Sequence, residues 1–299
     1  MNKKILIGML LFLLFIQFLG FQTRAASTTV AEDVPFQGSK LFVPNDNVTH
    51  PGVILLHGSE GGSAAFTWVK AQFLAANGYA ALAYCYFDCG ANSAAPKVLA
   101  NVEVHKVFEA LAWLKNSPYV KGKKTAIYGV SRGAELSMII AEKSNSEVDL
   151  TIPNVILAHA PSDITNPAWS WSWVDRRCWL CYDTENCQSW NPSCGINPLQ
   201  GPEGKPMWDT LPAWQWNNKE LPMKKRIEVE RFQGTIFLSV GTADTVWPYQ
   251  QTQRIEQTLK NGKRNAEVHY FAGEDHIFKT TAGNRLNDLV IEFLKSHLQ

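Results

Sequence analysis

A serine flanked by glycines, an aspartate past a later strand and a histidine near the chain's end carry the chemistry of this sequence. Ser131 lies in Gly129-Val130-Ser131-Arg132-Gly133, which matches G-x-S-x-G. The pattern arises by chance in roughly one chain of this length in ten, so its surroundings decide its meaning. Here it joins the apolar stretch Lys124–Tyr128 to the helical pattern Arg132–Lys143. A tight strand-to-helix turn of that kind exposes the serine Oγ and leaves unpaired helix N–H groups beside it. The N–H of Arg132 is then one arm of an oxyanion hole.

The second arm is expected in the glycine loop His57-Gly58-Ser59-Glu60-Gly61-Gly62, after the apolar run Val53–Leu56. Its donor is the N–H of Ser59 or else of Glu60. His57 precedes the serine, so it reads as a residue that shapes this loop. His276, in Gly273-Glu274-Asp275-His276, follows a strand and precedes the last helix, where a general base has the reach it needs. His269 lies inside a strand pattern and His297 inside a helix pattern, and both read as structural. Asp244 stands just past Thr235–Val240 and would hold the imidazole tautomer, whereas Asp275 adjoins His276 too closely to fold back onto it. The order Ser131, Asp244, His276 is that of the α/β-hydrolases.

Those residues need a scaffold that presents strand ends together. Short continuous apolar strands alternate with helical patterns along the chain: Gly52–Leu56, Ala65–Ala76, Tyr79–Cys85, Lys97–Lys115, Lys124–Tyr128, Arg132–Lys143, Asn154–Ala158, Thr235–Val240, Tyr249–Leu259, Glu267–Phe271 and Arg285–His297. A first strand is expected over Phe36–Val43. The pattern predicts an α/β fold: a mostly parallel central sheet with helices on both faces.

The chain has 299 residues, with 28 Lys and Arg against 27 Asp and Glu and 45% hydrophobic residues. A charge so balanced gives no basic field for nucleic acid, and the composition excludes a disordered or fibrous chain. No P-loop, dinucleotide fingerprint or metal-hydrolase motif is present. The chemistry above needs no metal and no organic cofactor. Nothing in the sequence specifies an oligomeric state.

Two segments stand apart. Residues 1–26 begin with Lys3 and Lys4, continue as the apolar run 5–21 and end at small residues around Ala25 and Ala26, the layout of a signal peptide. The expectation is export, periplasmic or secreted, with residues 27–299 as one α/β-hydrolase domain and no stable membrane insertion after cleavage. An uncleaved anchor is the alternative. Residues 165–220 hold eight of the 11 tryptophans: Trp169, Trp171, Trp173, Trp179, Trp190, Trp208, Trp214 and Trp216. They also hold Cys178, Cys181, Cys187 and Cys194 of the six cysteines. Their spacings match no common zinc pattern, and export favours disulfides. Cys85 and Cys89 flank a short loop and are candidates to pair with each other. This Trp/Cys-rich segment is expected to be an inserted cap, either a small stapled core or an aromatic wall over the acyl pocket.

At these residues the chain resembles the acyl-CoA thioester hydrolase / bile acid-CoA:amino acid N-acyltransferase C-terminal family, a neighbour of the dienelactone hydrolases. The resemblance is carried by Gly58–Gly62, Ala76–Ala80, Gly129–Leu136, Gly241–Pro248 and Gly273–His276. It implies cleavage of an acyl thioester, or acyl transfer, with Ser131, Asp244 and His276 in the roles given above. Three departures shape the expectation. The amino-terminal β-domain of the animal members is not matched, the nucleophile is a serine, which favours hydrolysis, and the leader points away from the cytosol where acyl-CoA is found. The expected substrate is therefore a small acyl ester or thioester. An exported carboxylesterase acting on lipid or polysaccharide esters is the first alternative. A non-catalytic sugar- or lipid-binding protein on the same fold is the second.

Overall fold

A computed structural model describes residues 28–31, 34–63, 66–91, 93–145, 151–169 and 211–299. The leader read over 1–26 lies outside them, as do residues 170–210 with the four cysteines and five of the tryptophans of the expected cap.

The strands are β1 (Thr28–Ala31), β2 (Lys40–Pro44), β3 (His50–Leu56), β4 (Ala80–Tyr84), β5 (Val102–Glu103), β6 (Val120–Val130), β7 (Val155–His159), β8 (Trp214–Trp216), β9 (Lys219–Glu220), β10 (Thr235–Gly241) and β11 (Ala266–Phe271). The helices are α1 (Phe66–Ala76), α2 (His105–Asn116), α3 (Arg132–Lys143), α4 (Gln250–Asn261) and α5 (Thr280–Leu298). Eight strands form one sheet in the order β1-β2-β4-β3-β6-β7-β10-β11. The β1-β2 and β2-β4 pairs are antiparallel, and the other neighbours are parallel. This is the α/β-hydrolase architecture expected from the sequence.

Alternate side chains of each buried strand serve two separate cores, because successive residues point to opposite faces. Ile54 and Leu56 of β3 and Leu82 of β4 face α2, α3 and α4 through Leu111, Ile139 and Ile255. Val53, Leu55 and Ala81 face α1 and α5 through Leu74 and Val290. A strand buried on both faces has no polar side to show, which is why these runs read as continuously apolar.

The structure adds β1, which the sequence reading lacks, and differs from that reading elsewhere as well. The strand expected over Phe36–Val43 is β2, and it starts at Lys40 because Gly38, at φ +76°, turns the chain and Ser39 N–H closes on Phe36 O at 3.0 Å. Residues 97–104 are not helical despite their apolar spacing. Leu99 exchanges backbone hydrogen bonds with Trp169, and Val102 pairs with Trp214, so tertiary strand pairing overrides the local periodicity. Strand β6 begins at Val120, opposite His50, and its exposed lysines hide this start from a hydrophobicity reading.

The chain enters and leaves residues 165–220 side by side, with Pro167 bridged to Pro212 and Ile164 to Arg226. A three-stranded sheet, β5-β8-β9, ties its returning limb to the segment before α2. Among the described residues no helix is long and apolar enough to cross a membrane. Cys85 and Cys89 are joined as a disulfide, their Cα atoms 5.8 Å apart.

Candidate active site

The predicted site residues all follow carboxyl ends of parallel strands, the usual place for ligands in an open α/β sheet. Ser131 follows β6, Asp244 follows β10, His276 follows β11 and the Ser59–Glu60 loop follows β3. The strand ends of one sheet thus bring together residues up to 145 positions apart.

Ser131 takes φ +55° and ψ −118°, a conformation that costs a non-glycine residue about 1–3 kcal/mol. The two flanking glycines make this turn possible through close approach. A Cβ on Gly129 would lie 2.0 Å from Gly133 O, and one on Gly133 would lie 2.2 Å from Leu56 O. The turn is held by Ser131 N–H donating to His159 O at 2.9 Å, while Ala134 and Glu135 N–H donate to Ser131 O. The hydroxyl is left facing the histidine. His276 Nε2 lies 3.0 Å from Ser131 Oγ, and His276 Nδ1 lies 2.8 Å from Asp244 Oδ2.

Asp244 is fixed by its own loop. Its Oδ1 accepts the N–H groups of Val246 and Trp247, each at 2.8 Å. Asp275 turns away from the imidazole and accepts the Thr245 N–H at 2.8 Å and the Thr245 hydroxyl at 2.9 Å. That bond joins the aspartate loop to the histidine loop. Gly241 lets the two loops touch, since a Cβ there would meet Glu274 O at 2.2 Å.

Around the β3 loop, His57 is buried and stacked on Tyr86 with ring centroids 4.0 Å apart. Its Nδ1–H donates to Gly58 O at 2.9 Å, and the Tyr86 hydroxyl donates to His57 O at 2.6 Å. Burial pushes its pKa down to about 4, so the ring is neutral at pH 7. The structure makes it a loop-shaping residue, as its position in the chain implied. The Glu60 carboxylate folds back to accept Gly58 N–H at 2.9 Å, and a Cβ on Gly58 would meet Glu60 Oε2 at 2.5 Å and Ser131 Cβ at 3.2 Å. His269 contacts Glu267, and His297 contacts Phe293 O, so both lie in local structural bonds.

Sequence reasoning missed the Arg132 side chain and Glu135. Both are buried, with Arg132 Nη1 2.7 Å from Glu135 Oε2. Glu135 Oε1 accepts Asn166 N–H at 2.6 Å and Trp214 Nε1–H at 2.7 Å. Arg132 Nη2 donates to Pro167 O at 2.8 Å. One ion pair therefore clamps both limbs of the inserted segment to the first turn of α3. The available signal was two opposite charges in an otherwise apolar helix start. His159 was also missed. It lies under the site with Nδ1 3.0 Å from Ser239 Oγ. Burial above all, then the neighbouring His276 and Lys70, push its pKa down to about 3.

Among the described residues no group of three or more His, Cys, Asp or Glu could hold a metal ion. What is assembled is a serine hydroxyl, an imidazole and a carboxylate in hydrogen-bonded series beside a helix N-terminus. Such a series can deprotonate the hydroxyl as it attacks a carbonyl.

The family model described as BAAT / Acyl-CoA thioester hydrolase C terminal matches residues 103–160, and that described as Dienelactone hydrolase family matches 212–291. Acyl-coenzyme A thioesterase 6 of Mus musculus is 28% identical over 244 residues, covering 79% of this chain and 50% of its own. Acyl-coenzyme A thioesterase 5 of Mus musculus is 35% identical over 101 residues, 34% of this chain and 23% of its own. The chain thus spans about half, or less, of the relatives it matches. Among solved structures, Est1E from Butyrivibrio proteoclasticus with bound ferulic acid superposes with a TM-score of 0.58 at 17% identity, covering 87% of this chain and 94% of its own. A truncated carbohydrate esterase from gut microbiota gives 0.57 at 14% identity, covering 90% and 97%. These structures are similar in fold.

Proposed function

We propose that this chain, which is similar to the acyl-CoA thioester hydrolase C-terminal and dienelactone hydrolase families, hydrolyses a small acyl ester or thioester through an acyl-enzyme. The observation that carries this reading is the pair of contacts at His276: Ser131 Oγ at 3.0 Å on one ring nitrogen and Asp244 Oδ2 at 2.8 Å on the other.

In the proposed reaction Ser131 Oγ attacks the acyl carbon while His276 Nε2 takes the hydroxyl proton. Asp244 holds the Nδ1–H tautomer and stabilises the imidazolium. The carbonyl oxygen becomes an oxyanion held by the N–H of Arg132 and by the N–H of Ser59 or Glu60. Collapse breaks the bond to the leaving thiol or alcohol, which departs with the proton from His276. Water then attacks the acyl-enzyme, giving its proton to His276, and Ser131 leaves with that proton restored. Every proton returns, and no electron carrier is involved.

Serine as nucleophile favours water over an amino acid as the second acceptor. The reading is supported by the acyl-coenzyme A thioesterases among the relatives. A second reading, an exported carboxylesterase on lipid or polysaccharide esters, is supported by the Cys85–Cys89 disulfide and by the leader-like residues 1–26, since disulfides persist outside the reducing cytosol. The two are separated by steady-state turnover of acyl-CoA thioesters and of simple oxygen esters over a range of chain lengths. Thioester kcat/KM at least tenfold above that of the matched ester supports the first reading. The reverse ratio supports the second. Saturable binding of sugar or lipid without turnover of either substrate identifies a non-catalytic binding protein.

A further inference from the structure

The loop after β3 has three successive peptides locked at the carbonyl. The His57–Gly58 peptide is held by the Tyr86 hydroxyl on His57 O at 2.6 Å. The Gly58–Ser59 peptide is held by His57 Nδ1–H on Gly58 O at 2.9 Å. Both locks come from side chains at the ends of sheet strands. The third lock has a different origin. The Ser59–Glu60 peptide is held by Trp169 Nε1–H, which donates to Ser59 O at 3.2 Å across 110 residues of sequence.

Trp169 is well placed to act as an anchor. It is 3% exposed, and its backbone is fixed in both directions: its N–H donates to Leu99 O at 2.8 Å and its O accepts Leu99 N–H at 2.9 Å. Two residues earlier, Pro167 O accepts Arg132 Nη2 at 2.8 Å. The short stretch 167–169, where the inserted segment begins, therefore touches both sides of the nucleophile. It holds the residue that follows Ser131 and the loop that faces it.

We infer that Trp169 is a positioning residue for the second arm of the oxyanion hole, acting through the Ser59 carbonyl. The inference rests on the hydrolase reading above. A trans peptide points its N–H opposite to its carbonyl, so a donor fixed on Ser59 O sets the direction of the Glu60 N–H and the ψ of Ser59. Its effect on the oxyanion runs through the Glu60 N–H, because the Ser59 N–H belongs to the peptide that His57 holds. Binding of the ground-state carbonyl depends weakly on this alignment, whereas stabilisation of the developing oxyanion depends on it strongly. The tryptophan thereby couples the inserted segment to the rate of the chemical step.

The test compares Trp169→Phe and Trp169→His on a p-nitrophenyl ester and on a trifluoromethyl ketone, which forms a tetrahedral adduct with the serine. Phenylalanine keeps a six-membered ring and loses the N–H. Histidine keeps a five-membered ring with Nε2 at the position of the indole nitrogen. For Trp169→Phe the expected result is a kcat about 10–100-fold lower with KM changed less than threefold. Inhibition by the ketone should weaken by the same factor as kcat/KM. Trp169→His should recover most of both losses.

Equal activity of Trp169→Phe and wild type overturns the inference, and so do equal losses in the two variants, which would mark a packing role. Should Trp169→Phe not fold, the assigned indole N–H resonance of Trp169 in the wild type carries the test. It is expected to shift on ketone addition, and an unmoved resonance overturns the inference. A wild type that neither turns over the ester nor reacts with the ketone defeats the hydrolase reading itself. An active wild type with an indifferent Trp169 defeats only the present inference.

Discussion

Asp244, 32 residues before His276, holds its Nδ1 at 2.8 Å, while Asp275, the adjacent residue, points its carboxylate at Thr245. In the proposed mechanism the distant acid orients the base, while the near one fastens its loop. Asp244→Asn is expected to leave the geometry in place while favouring the wrong imidazole tautomer, lowering kcat by about 10⁴. Asp275→Asn is expected to act mainly through loop stability, with a kcat loss below about tenfold. Steady-state kinetics on one ester checks both, and similar losses would mean that the roles have been assigned to the wrong carboxylates.

The elbow glycines are fixed by space as well as by chain conformation. A Cβ on Gly133 would sit 2.2 Å from Leu56 O and 2.5 Å from His57 O, both backbone atoms of β3 and its loop. Backbone cannot rotate aside as a side chain can. Gly133→Ala is expected to destabilise the fold by at least about 2–3 kcal/mol, read as a lowered midpoint in urea unfolding. A midpoint equal to that of wild type would show that the close approach is relieved elsewhere.

The Arg132–Glu135 pair is 1% and 0% exposed, so losing one partner strands a buried charge. Glu135→Gln is expected to cost about 3–5 kcal/mol. Coupling should show in the double variant Arg132→Met/Glu135→Gln, which is expected to be more stable than Glu135→Gln alone. Denaturant midpoints of the four proteins of this cycle measure it. Strict additivity of the single effects would remove the clamp between the inserted segment and α3 from the account.

Acid stability follows from two buried imidazoles. Burial holds His57 at about 4 and His159 at about 3 in the folded chain, both below the ordinary value near 6.5. The unfolded chain therefore binds protons that the folded chain does not. Stability is lost as pH falls from about 6.5 towards 4 for His57 and towards 3 for His159, at up to ~1.4 kcal/mol per pH unit for each. Above 6.5 neither ring contributes a slope. His159→Gln is expected to flatten the loss, measured as unfolding free energy at pH 4.5 and pH 7. An unchanged difference between these two values would show that His159 is already charged in the folded protein.

The Cys85–Cys89 disulfide closes a loop that packs on the loop after β3, where Gly62 N–H donates to Phe87 O at 3.1 Å. A cross-link over so few residues is worth about 2 kcal/mol by chain entropy. Reduction is expected to lower the melting temperature by several degrees, and Cys85→Ala/Cys89→Ala to match the reduced protein. A double variant as stable as the oxidised protein would contradict this.

The site was legible in sequence where the chemistry needs a local pattern. Gly129 and Gly133 had to flank Ser131 because backbone passes within contact distance of both, and that demand is written in five consecutive residues. Asp244 and His276 were legible because each follows an apolar strand at a fixed place in chain order. The Arg132–Glu135 clamp was not, because its partners Asn166 and Trp214 lie 31 and 79 residues from Glu135 and meet it only after folding. Residues 97–104 were misread for the same reason. Their apolar spacing suits a helix, and only pairing with Trp169 and Trp214 makes them extended. Trp169 was noticed as composition, while its hydrogen bond to Ser59 required the structure.

The central claim is that Ser131 is a nucleophile activated by His276. Its most direct test is labelling of the folded protein with a fluorophosphonate, followed by mass mapping of the adduct. The account predicts one adduct per chain, on Ser131, lost in Ser131→Ala and slowed by orders of magnitude in His276→Ala. No adduct on the wild type, or equal labelling of Ser131→Ala, would contradict it.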